Sequence, residues 1–407
     1  MREFETTLGG DFLRGLRRSA SVDGLKSLWG LEPTQDGVQP FGGIPGLIPS
    51  DADIRVRLLG EGLRVDIIDG NYNLFHPGGA LSLGQLSWIR ATSYAQRFFL
   101  IGEDFLGNRQ AWWNTSGGIV SGPTEEVPDI GSFALFCRGQ LLMLQEGRVS
   151  WSAIGRLDFR PEEDLTAGWL NVDFQPLWMG LLGNNILLLH KDGGGLLVPT
   201  SKGWAFQELP LKGLVSVGAV SGGESSGYKY LSSDGRLQEI LPSGQIQELG
   251  YEEFFPSPED WEGFFWEPRK MFLFTKGETT LIHNGLGLFE SSQRVDSAWG
   301  SSVSGESLGW PSWGLSTGEL FRDTSQLKSL ESVEVRAFGG GDVILTVIGG
   351  PVKYLKGERI SFPRYTGKTI QLAVSGSVKP EAFTGITLKM KFPDRRFTRG
   401  VSGAFTT

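Results

Sequence analysis

The sequence predicts an all-β protein: a β-propeller of about five to seven four-stranded blades followed by a small antiparallel β-sandwich. Two observations carry this prediction. Apolar runs of strand length recur in units spaced roughly forty to forty-five residues apart, as expected for four-stranded blades. The chain of 407 residues also contains 59 glycines, scattered with Asn, Asp and Ser between those runs, which is typical of turn-rich β-structure.

Five or six blades can be recognised from the spacing of the apolar runs. A hairpin over residues 54–67, with its turn at 60–62, is expected to complete the ring. The last, weakest unit runs from 308 to 321. The remaining units begin near Phe98, Phe133, Trp178, Val215 and Phe264.

Three regions are predicted along the chain. Residues 1–50 are interpreted as an irregular N-terminal arm, with a short helix over 12–18 and an extended Gly- and Pro-rich loop over 37–49. Residues 51–330 form the propeller. Residues 331–407 form the sandwich, because apolar and polar residues alternate there between Gly-rich turns.

Composition limits the classes of function. The chain has 38 basic and 46 acidic residues, a formal net charge of −8, which argues against a protein that wraps nucleic acid. Cys137 is the only cysteine, so no intramolecular disulfide can form. No apolar run has the length of a signal peptide or a membrane span, so we expect no membrane association.

Residues with catalytic or metal-binding chemistry are sparse. His76, His190 and His283 lie far apart, with no carboxylate or cysteine at ligand spacing, and lone histidines are more often structural. No nucleophile, zinc or dinucleotide motif is present. We therefore predict that the protein is not an enzyme and needs no cofactor or metal.

Tryptophans and acidic loops leave one alternative open. The 13 tryptophans could form sugar-stacking platforms, although core positions between blades are the favoured interpretation. The acidic runs 162–164 and 252–253 could supply carboxylates to a glycosidase site, although solvated loop tips are favoured. The tryptophans weighed in this way are Trp112, Trp113, Trp204, Trp261, Trp266, Trp310 and Trp313.

One stretch, residues 148–171, resembles a segment of tail proteins of tailed bacteriophages. It reads W-S-x-x-G, then D-F-x-P, then A-G at the next strand. In that family a β-propeller is followed by a small C-terminal β-sandwich, as the strand pattern predicts here. The matching residues are Trp151, Ser152, Gly155, Asp158, Phe159, Pro161, Ala167 and Gly168.

The resemblance implies a virion structural protein, a tail component of the tube, nozzle or hub type. Expected partners are other copies of the chain in a ring, neighbouring tail or connector proteins, and genomic DNA that passes through the conduit without sequence-specific binding. The expected location is the virion tail, after synthesis in the host cytoplasm. The alternative is a carbohydrate-binding or glycan-hydrolysing propeller that recognises a host surface.

Two basic clusters are the candidate assembly surface. In a chain of net charge −8, clustered cations can bind an acidic neighbour or another copy. The alternative for each is an ordinary solvated surface. The C-terminal cluster contains Lys389, Lys391, Arg395, Arg396 and Arg399, and the N-terminal cluster contains Arg14, Arg17 and Arg18.

Overall fold

The computed structural model shows an all-β protein whose central part is a β-propeller with six four-stranded blades. Among the described residues, helix is confined to three short 3-10 turns, Glu252–Phe254, Pro258–Asp260 and Glu267–Arg269. The structure describes residues 2–8, 15–16, 25–35, 38–50, 53–60, 62–201, 203–308, 313–317, 319–320, 328–338, 343–348, 352–355, 359–367, 370–376 and 382–392.

The N-terminal region contains strands, so the expectation of an irregular arm was wrong. Four of its five strands pair with parts of the chain that are distant in sequence, and this pairing cannot be seen in local composition. The predicted helix over 12–18 lies mostly outside the described residues. The strands are β1 (Arg2–Leu8), β2 (Leu25–Trp29), β3 (Leu31–Pro33), β4 (Val38–Pro40) and β5 (Ile48–Pro49).

The first three blades follow in order, each a sheet of four sequential antiparallel strands. Blade 1 is β6 (Ile54–Gly60), β7 (Leu63–Ile68), β8 (Asn71–His76) and β9 (Gly79–Gln85). Blade 2 is β10 (Trp88–Tyr94), β11 (Arg97–Glu103), β12 (Arg109–Thr115) and β13 (Gly118–Gly122). Blade 3 is β14 (Phe133–Cys137), β15 (Gln140–Gln145), β16 (Arg148–Trp151) and β17 (Gly168–Asn171).

The next three blades repeat the pattern. Blade 4 is β18 (Pro176–Leu182), β19 (Asn185–His190), β20 (Gly193–Thr200) and β21 (Gly203–Leu209). Blade 5 is β22 (Val220–Gly223), β23 (Gly227–Leu231), β24 (Leu237–Ile240) and β25 (Ile246–Gly250). Blade 6 is β26 (Glu262–Trp266), β27 (Met271–Lys276), β28 (Thr279–His283) and β29 (Leu288–Glu290).

A three-stranded sheet closes the ring between blade 6 and blade 1. It consists of β30 (Gln293–Trp299), β31 (Ser302–Ser307) and the N-terminal β5, in that order. β30 contacts the first strand of blade 6 on one side and the first strand of blade 1 on the other. The predicted 54–67 hairpin is half of blade 1, so it does not by itself complete the ring as expected.

The C-terminal strands belong to two sheets. They are β32 (Trp313–Thr317), β33 (Lys328–Phe338), β34 (Val343–Val347), β35 (Val352–Leu355), β36 (Arg359–Gly367), β37 (Leu372–Gly376) and β38 (Ala382–Phe392). One sheet runs β3-β4-β38-β33-β36, with β1 also paired to β38. The other continues blade 6 through β29-β2-β32-β37-β34-β35. The unit over 308–321, predicted as a weak blade, therefore contributes β32 to this second sheet.

Apolar residues between neighbouring blades form the core of the ring. In blades 2, 3, 4 and 6 the second strand has neighbours on both faces, and it reads as a nearly continuous apolar run. In β15 the residues from Gln140 to Leu144 are all buried, and β19 and β27 show the same pattern. Strands buried on both faces lose the polar–apolar alternation of a half-exposed strand. This packing explains why the apolar runs in the sequence mark the blades so clearly.

Candidate functional site

A cavity of about 950 Å³ lies on the axis of the propeller, lined by the first strands of the blades. Four antiparallel strands return the chain to its starting direction, so these inner strands all run the same way along the axis. Ligand sites in proteins commonly occupy concave spaces of about 300–1,000 Å³. The cavity is therefore the first place in the described structure to look for ligand chemistry.

Aromatic side chains supply much of the cavity wall. Trp88 begins β10 and Phe133 begins β14, on consecutive blades, and Trp178 follows in β18. The rings of Phe133 and Trp178 lie 6.0 Å apart between centroids, and Trp178 meets Tyr228 edge-on at 5.0 Å. Trp299, at the end of β30, is 39% exposed and also lines the cavity.

Charged groups in the cavity come from separate blades. Arg57 of blade 1 donates from one terminal nitrogen to both carboxylate oxygens of Glu262 of blade 6, at 2.9 and 2.8 Å. This ion pair reaches past β30, which lies between the two blades. Arg90 of blade 2 lies over the Trp88 ring, 4.1 Å from its centroid, and donates to the Ser132 carbonyl oxygen at 3.1 Å.

Arg57 has a carboxylate partner in the cavity, whereas Arg90 has none among the described residues. Burial lowers the pKa of Arg90 to about 10, and the nearby Arg57 cation acts in the same direction. The acidic groups that act on it are Glu262 and Glu103. Glu262 is bonded to Arg57, and Glu103 is bonded to Arg109 at 2.8 Å. Within the described part of the chain, Arg90 has no carboxylate within ion-pairing distance.

The three histidines share one structural role. In each, the ring Nδ1 accepts a hydrogen bond from the backbone N–H two residues further on, which closes a turn at the end of a strand. His76 accepts from Gly78 at 3.1 Å, His190 from Asp192 at 3.3 Å and His283 from Gly285 at 3.0 Å. No group of three or more His, Cys, Asp or Glu residues placed to hold a metal ion occurs among the described residues.

Most of the tryptophans weighed as sugar platforms are buried. Trp310 lies outside the described residues, and the acidic runs 162–164 and 252–253 do not line the cavity. The cavity wall instead includes the half-buried Trp88, the buried Trp178 and the exposed Trp299, which the sequence did not indicate as sugar platforms. The buried tryptophans are Trp112, Trp113, Trp204, Trp261, Trp266 and Trp313.

The stretch that resembles phage tail proteins forms a braced loop on blade 3. Ser152 is fully buried, and its Oγ accepts from the Leu141 N–H at 2.9 Å. The Gln140 side-chain amide joins the two ends of the loop by donating to the carbonyl oxygens of Ser152 at 2.9 Å and Thr166 at 2.8 Å. The loop is thus tied back to its own blade at both ends.

The motif begins at Trp151 and ends at Gly168, and the position of the Trp151 ring leaves no room for a larger residue at 168. A Cβ at Gly168 would stand 3.0 Å from the Trp151 ring, and a Cβ at Gly203 of blade 4 would stand 2.4 Å from it. The indole is 4% exposed and occupies the space that a Cβ at either position would need. A tryptophan and a glycine are therefore required together at this seam.

The middle of the loop is held by charge-assisted bonds. Asp158 accepts from Arg160 at 3.0 Å through each of its two oxygens, and this bonding is the main cause of the lowered pKa of Asp158. Arg160 also pairs with Glu125 of the preceding connection at 3.0 Å. Arg97 of blade 2 donates to the Gly155 carbonyl oxygen at 2.8 Å. Blade 2 and blade 3 thus fix the loop jointly.

Large apolar side chains stand at the tip of this loop. Ile154 is 59% exposed and Leu165 is 95% exposed. They flank the bond from the Ile154 N–H to the Thr166 Oγ1, at 3.1 Å. We call Ile154 and Leu165 the loop tip.

Most of the candidate basic surface lies outside the described residues. This holds for Arg14, Arg17 and Arg18 and for the three C-terminal arginines, Arg395, Arg396 and Arg399. Lys389 and Lys391 lie in β38, opposite Glu5 and Glu3 of β1 in the strand register. The structure therefore places these two lysines beside an N-terminal strand that the sequence did not connect with them.

Comparisons with known proteins give structural neighbours only. No model of a protein family matches the chain, and no curated protein matches it. Solved structures with similar shape include YCF48 bound to D1 peptide, which is 10% identical; the match covers 60% of this chain and 82% of that one, with a TM-score of 0.35. The SapL1 lectin in complex with alpha methyl fucoside is 12% identical over 59% of this chain and 95% of that one, with a TM-score of 0.38.

A third solved structure is similar at the same level. BBS1N in complex with ARL6DN is 14% identical, over 68% of this chain and 90% of that one, with a TM-score of 0.37. Similarity at this level carries no argument about what this chain binds or does. In the described part of the chain, no helix has the length and apolar character needed to cross a membrane.

Proposed function

We propose that the protein is a structural component of a bacteriophage tail, of the tube, nozzle or hub type, and that its work is assembly. The observation that carries the proposal is the braced loop of blade 3. Its rigid frame presents two large apolar side chains to solvent, at 59% and 95% exposure. Exposed apolar groups on a fixed frame are typical of protein contact surfaces. The occupant we propose is a neighbouring copy of the chain in a ring.

The motif residues support this role by what they do locally. Trp151, Ser152, Asp158 and Gly168 all brace the loop, and none of them lines the axial cavity. If the segment recurs among tail proteins because it is structural, its residues are expected to brace the loop and to stay out of a ligand cavity. Neighbouring tail or connector proteins, and DNA passing without sequence-specific contacts, complete the proposed set of partners.

DNA would pass through the ring of copies and not along the axis of one propeller. The axial cavity carries the Arg57–Glu262 ion pair and the Trp88 and Trp178 side chains on its wall. We also propose that the two C-terminal sheets form the predicted sandwich. The contact between Trp313 of β32 and Phe383 of β38, at 5.8 Å between ring centroids, supports face-to-face packing of these sheets.

The proposed assembly role is tested by point variants on the loop tip. We expect Ile154→Ser with Leu165→Ser to leave the melting temperature unchanged, because both side chains are exposed, and to abolish incorporation into tails. The matched control is Leu286→Ser, which removes an apolar side chain that is 41% exposed on blade 6. Normal incorporation of the loop-tip variant, measured by quantitative mass spectrometry of purified particles, would contradict the proposal.

A second candidate function is ligand binding in the axial cavity, with a carbohydrate as the ligand class. The specific observation is the run of Trp88, Phe133 and Trp178 along one wall, beside the half-exposed carboxylate of Glu262. Aromatic faces stack on the apolar faces of sugar rings, and a carboxylate accepts hydrogen bonds from hydroxyl groups. Titration calorimetry with monosaccharides tests this candidate, and a complete absence of heat would reject it.

A further inference from the structure

Arg90 is a cation in the axial cavity with little of its hydrogen-bonding capacity used. A guanidinium has five N–H donors. Of these, one bonds to a protein acceptor in the described structure, the Ser132 carbonyl oxygen at 3.1 Å. The remaining donors belong to a side chain that lines the cavity.

The charge on Arg90 persists at neutral pH. Burial lowers its pKa to about 10, which still leaves the guanidinium protonated at pH 7. The neighbouring carboxylates that act on it are already bonded to Arg57 and Arg109. Arg90 is half-buried, and a partly desolvated cation without a counter-ion is unfavourable, so an anion entering the cavity would relieve that cost.

The position of Arg90 also orients such an anion. The guanidinium carbon lies 4.1 Å from the centroid of the Trp88 ring, and this contact restrains the side chain. A fixed guanidinium fork matches the two oxygens of a carboxylate. Stacking on an aromatic face reduces the entropy lost on binding, since the side chain is already ordered.

The other residues of the cavity wall determine which kind of ring the anion would carry. Phe133 directly follows Ser132, whose carbonyl oxygen accepts from Arg90. Trp178 of blade 4, which is 9% exposed, packs behind the Phe133 ring at 6.0 Å between centroids. Glu262 is 43% exposed and, as a carboxylate, can only accept hydrogen bonds, so it favours a ligand with hydroxyl groups. These features together fit a hydroxylated ring that carries one carboxylate.

We propose that the axial cavity binds an acidic sugar, a hexuronate, with its carboxylate on Arg90 and its ring against the wall formed by Phe133 and Trp178. This inference rests on the second candidate function, carbohydrate binding, and is independent of the assembly role. The overall charge of −8 repels an anion at long range, but the fixed cation decides the local field inside the cavity.

The test is titration calorimetry on the full chain with D-glucuronate and, as its neutral counterpart, D-glucose. We expect glucuronate to bind at least about tenfold more tightly than glucose, because a charge-assisted bond to a carboxylate contributes about 1.5–3 kcal/mol. Arg90→Met should reduce glucuronate affinity to the level of glucose. Arg90→Lys, which keeps the charge but loses the fork, should fall between the two.

The matched control is Arg109→Met on the same blade, since Arg109 is bonded to Glu103 and does not line the cavity. It should bind glucuronate as the unmodified chain does. Circular dichroism melting shows that each variant is folded. Equal affinity for glucuronate and glucose, or unchanged glucuronate binding by Arg90→Met, would overturn the carboxylate assignment while leaving carbohydrate binding standing. Equal affinity for benzoate would overturn the sugar assignment. Failure of tail incorporation by the loop-tip variant has no bearing on either result.

Discussion

A buried ion pair within blade 5, beside its seam with blade 6, gives a quantitative prediction about stability. Lys229 of β23 is fully buried, and its Nζ contacts the Glu239 carboxylate of β24. The other carboxylate oxygen accepts from the Gln247 side chain. The ammonium also lies 4.3 Å from the centroid of the Phe272 ring on blade 6. The pair thus sits at the seam that joins two blades.

The cost of removing Glu239 follows from the burial of Lys229. Burial lowers the pKa of Lys229 from 10.5 to about 7. Removing a proton from an ordinary amine at pH 7 costs about 1.4 kcal/mol per pH unit below its pKa, so neutralising the amine costs about 5 kcal/mol. Breaking a buried pair by deleting one partner costs about 3–5 kcal/mol. We therefore expect Glu239→Ala to lower the free energy of unfolding by about 3–5 kcal/mol at pH 7.

The pH dependence of that variant has a definite sign. With its pKa lowered by folding, Lys229 binds fewer protons in the native state than in the unfolded state between about pH 7 and 10.5. Stability then rises with pH in that window. We expect the free energy of unfolding of Glu239→Ala to rise by up to about 2 kcal/mol between pH 7 and pH 9.

Urea unfolding followed by tryptophan fluorescence measures both effects. The double variant Lys229→Met with Glu239→Leu is the matched control, because replacing both charges with apolar groups of similar size is often neutral or stabilising. It should lie within about 1 kcal/mol of the unmodified chain. A loss of less than about 1 kcal/mol for Glu239→Ala alone, or no dependence on pH, would refute the reasoning.

Three further predictions concern the seams and the junction of the chain ends. Arg269→Ala should lower the free energy of unfolding by about 3 kcal/mol in urea, because it leaves the 3% exposed carboxylate of Glu32 without its cation. Gly168→Ala should lower it by about 1–3 kcal/mol, because its Cβ meets Trp151 at 3.0 Å, whereas Gly42→Ala, with no atom within 4 Å, should be neutral. Burial raises the pKa of Glu290, so the free energy of unfolding falls as pH rises from the ordinary glutamate pKa through the raised one. Glu290→Gln should therefore raise the melting temperature at pH 7 and not at pH 4. An equal gain at both pH values would contradict this.

Much of the propeller could be predicted because its second strands are buried on both faces. Phe98–Ile101 and Leu141–Leu144 are uninterrupted apolar runs in the sequence, and both lie between blades. The outer strands β8 and β9 of blade 1 were missed. They have mostly exposed or half-exposed positions and therefore lack a strong apolar signal.

Long-range pairing could not be predicted from one sequence. β1 pairs with β38 along its whole length, from Arg2 opposite Phe392 to Leu8 opposite Ile386. Local alternation shows that a segment is a strand but does not show its partner. Similarly, Arg57 and Glu262 carry no shared motif, and ring closure alone brings them within 2.8 Å. The charged part of the axial cavity was hidden from sequence reasoning for this reason.

The N-terminal strand β2 and the C-terminal strand β32 both extend the sheet of blade 6, so deleting the C-terminal region also damages this sheet. β2 pairs with β29 of blade 6 on one side and with β32 on the other, so the blade sheet continues directly into the C-terminal strands. Deleting 331–407 would remove the partner of β32, β37, and expose Trp313 and Leu315, both fully buried in the intact chain. An open strand edge with exposed apolar residues promotes aggregation. A failure of the truncated protein to join the particle would therefore follow from this damage alone, even if residues 331–407 made no contact with a partner. The double loop-tip variant leaves this junction intact, and it separates loss of assembly from loss of structure.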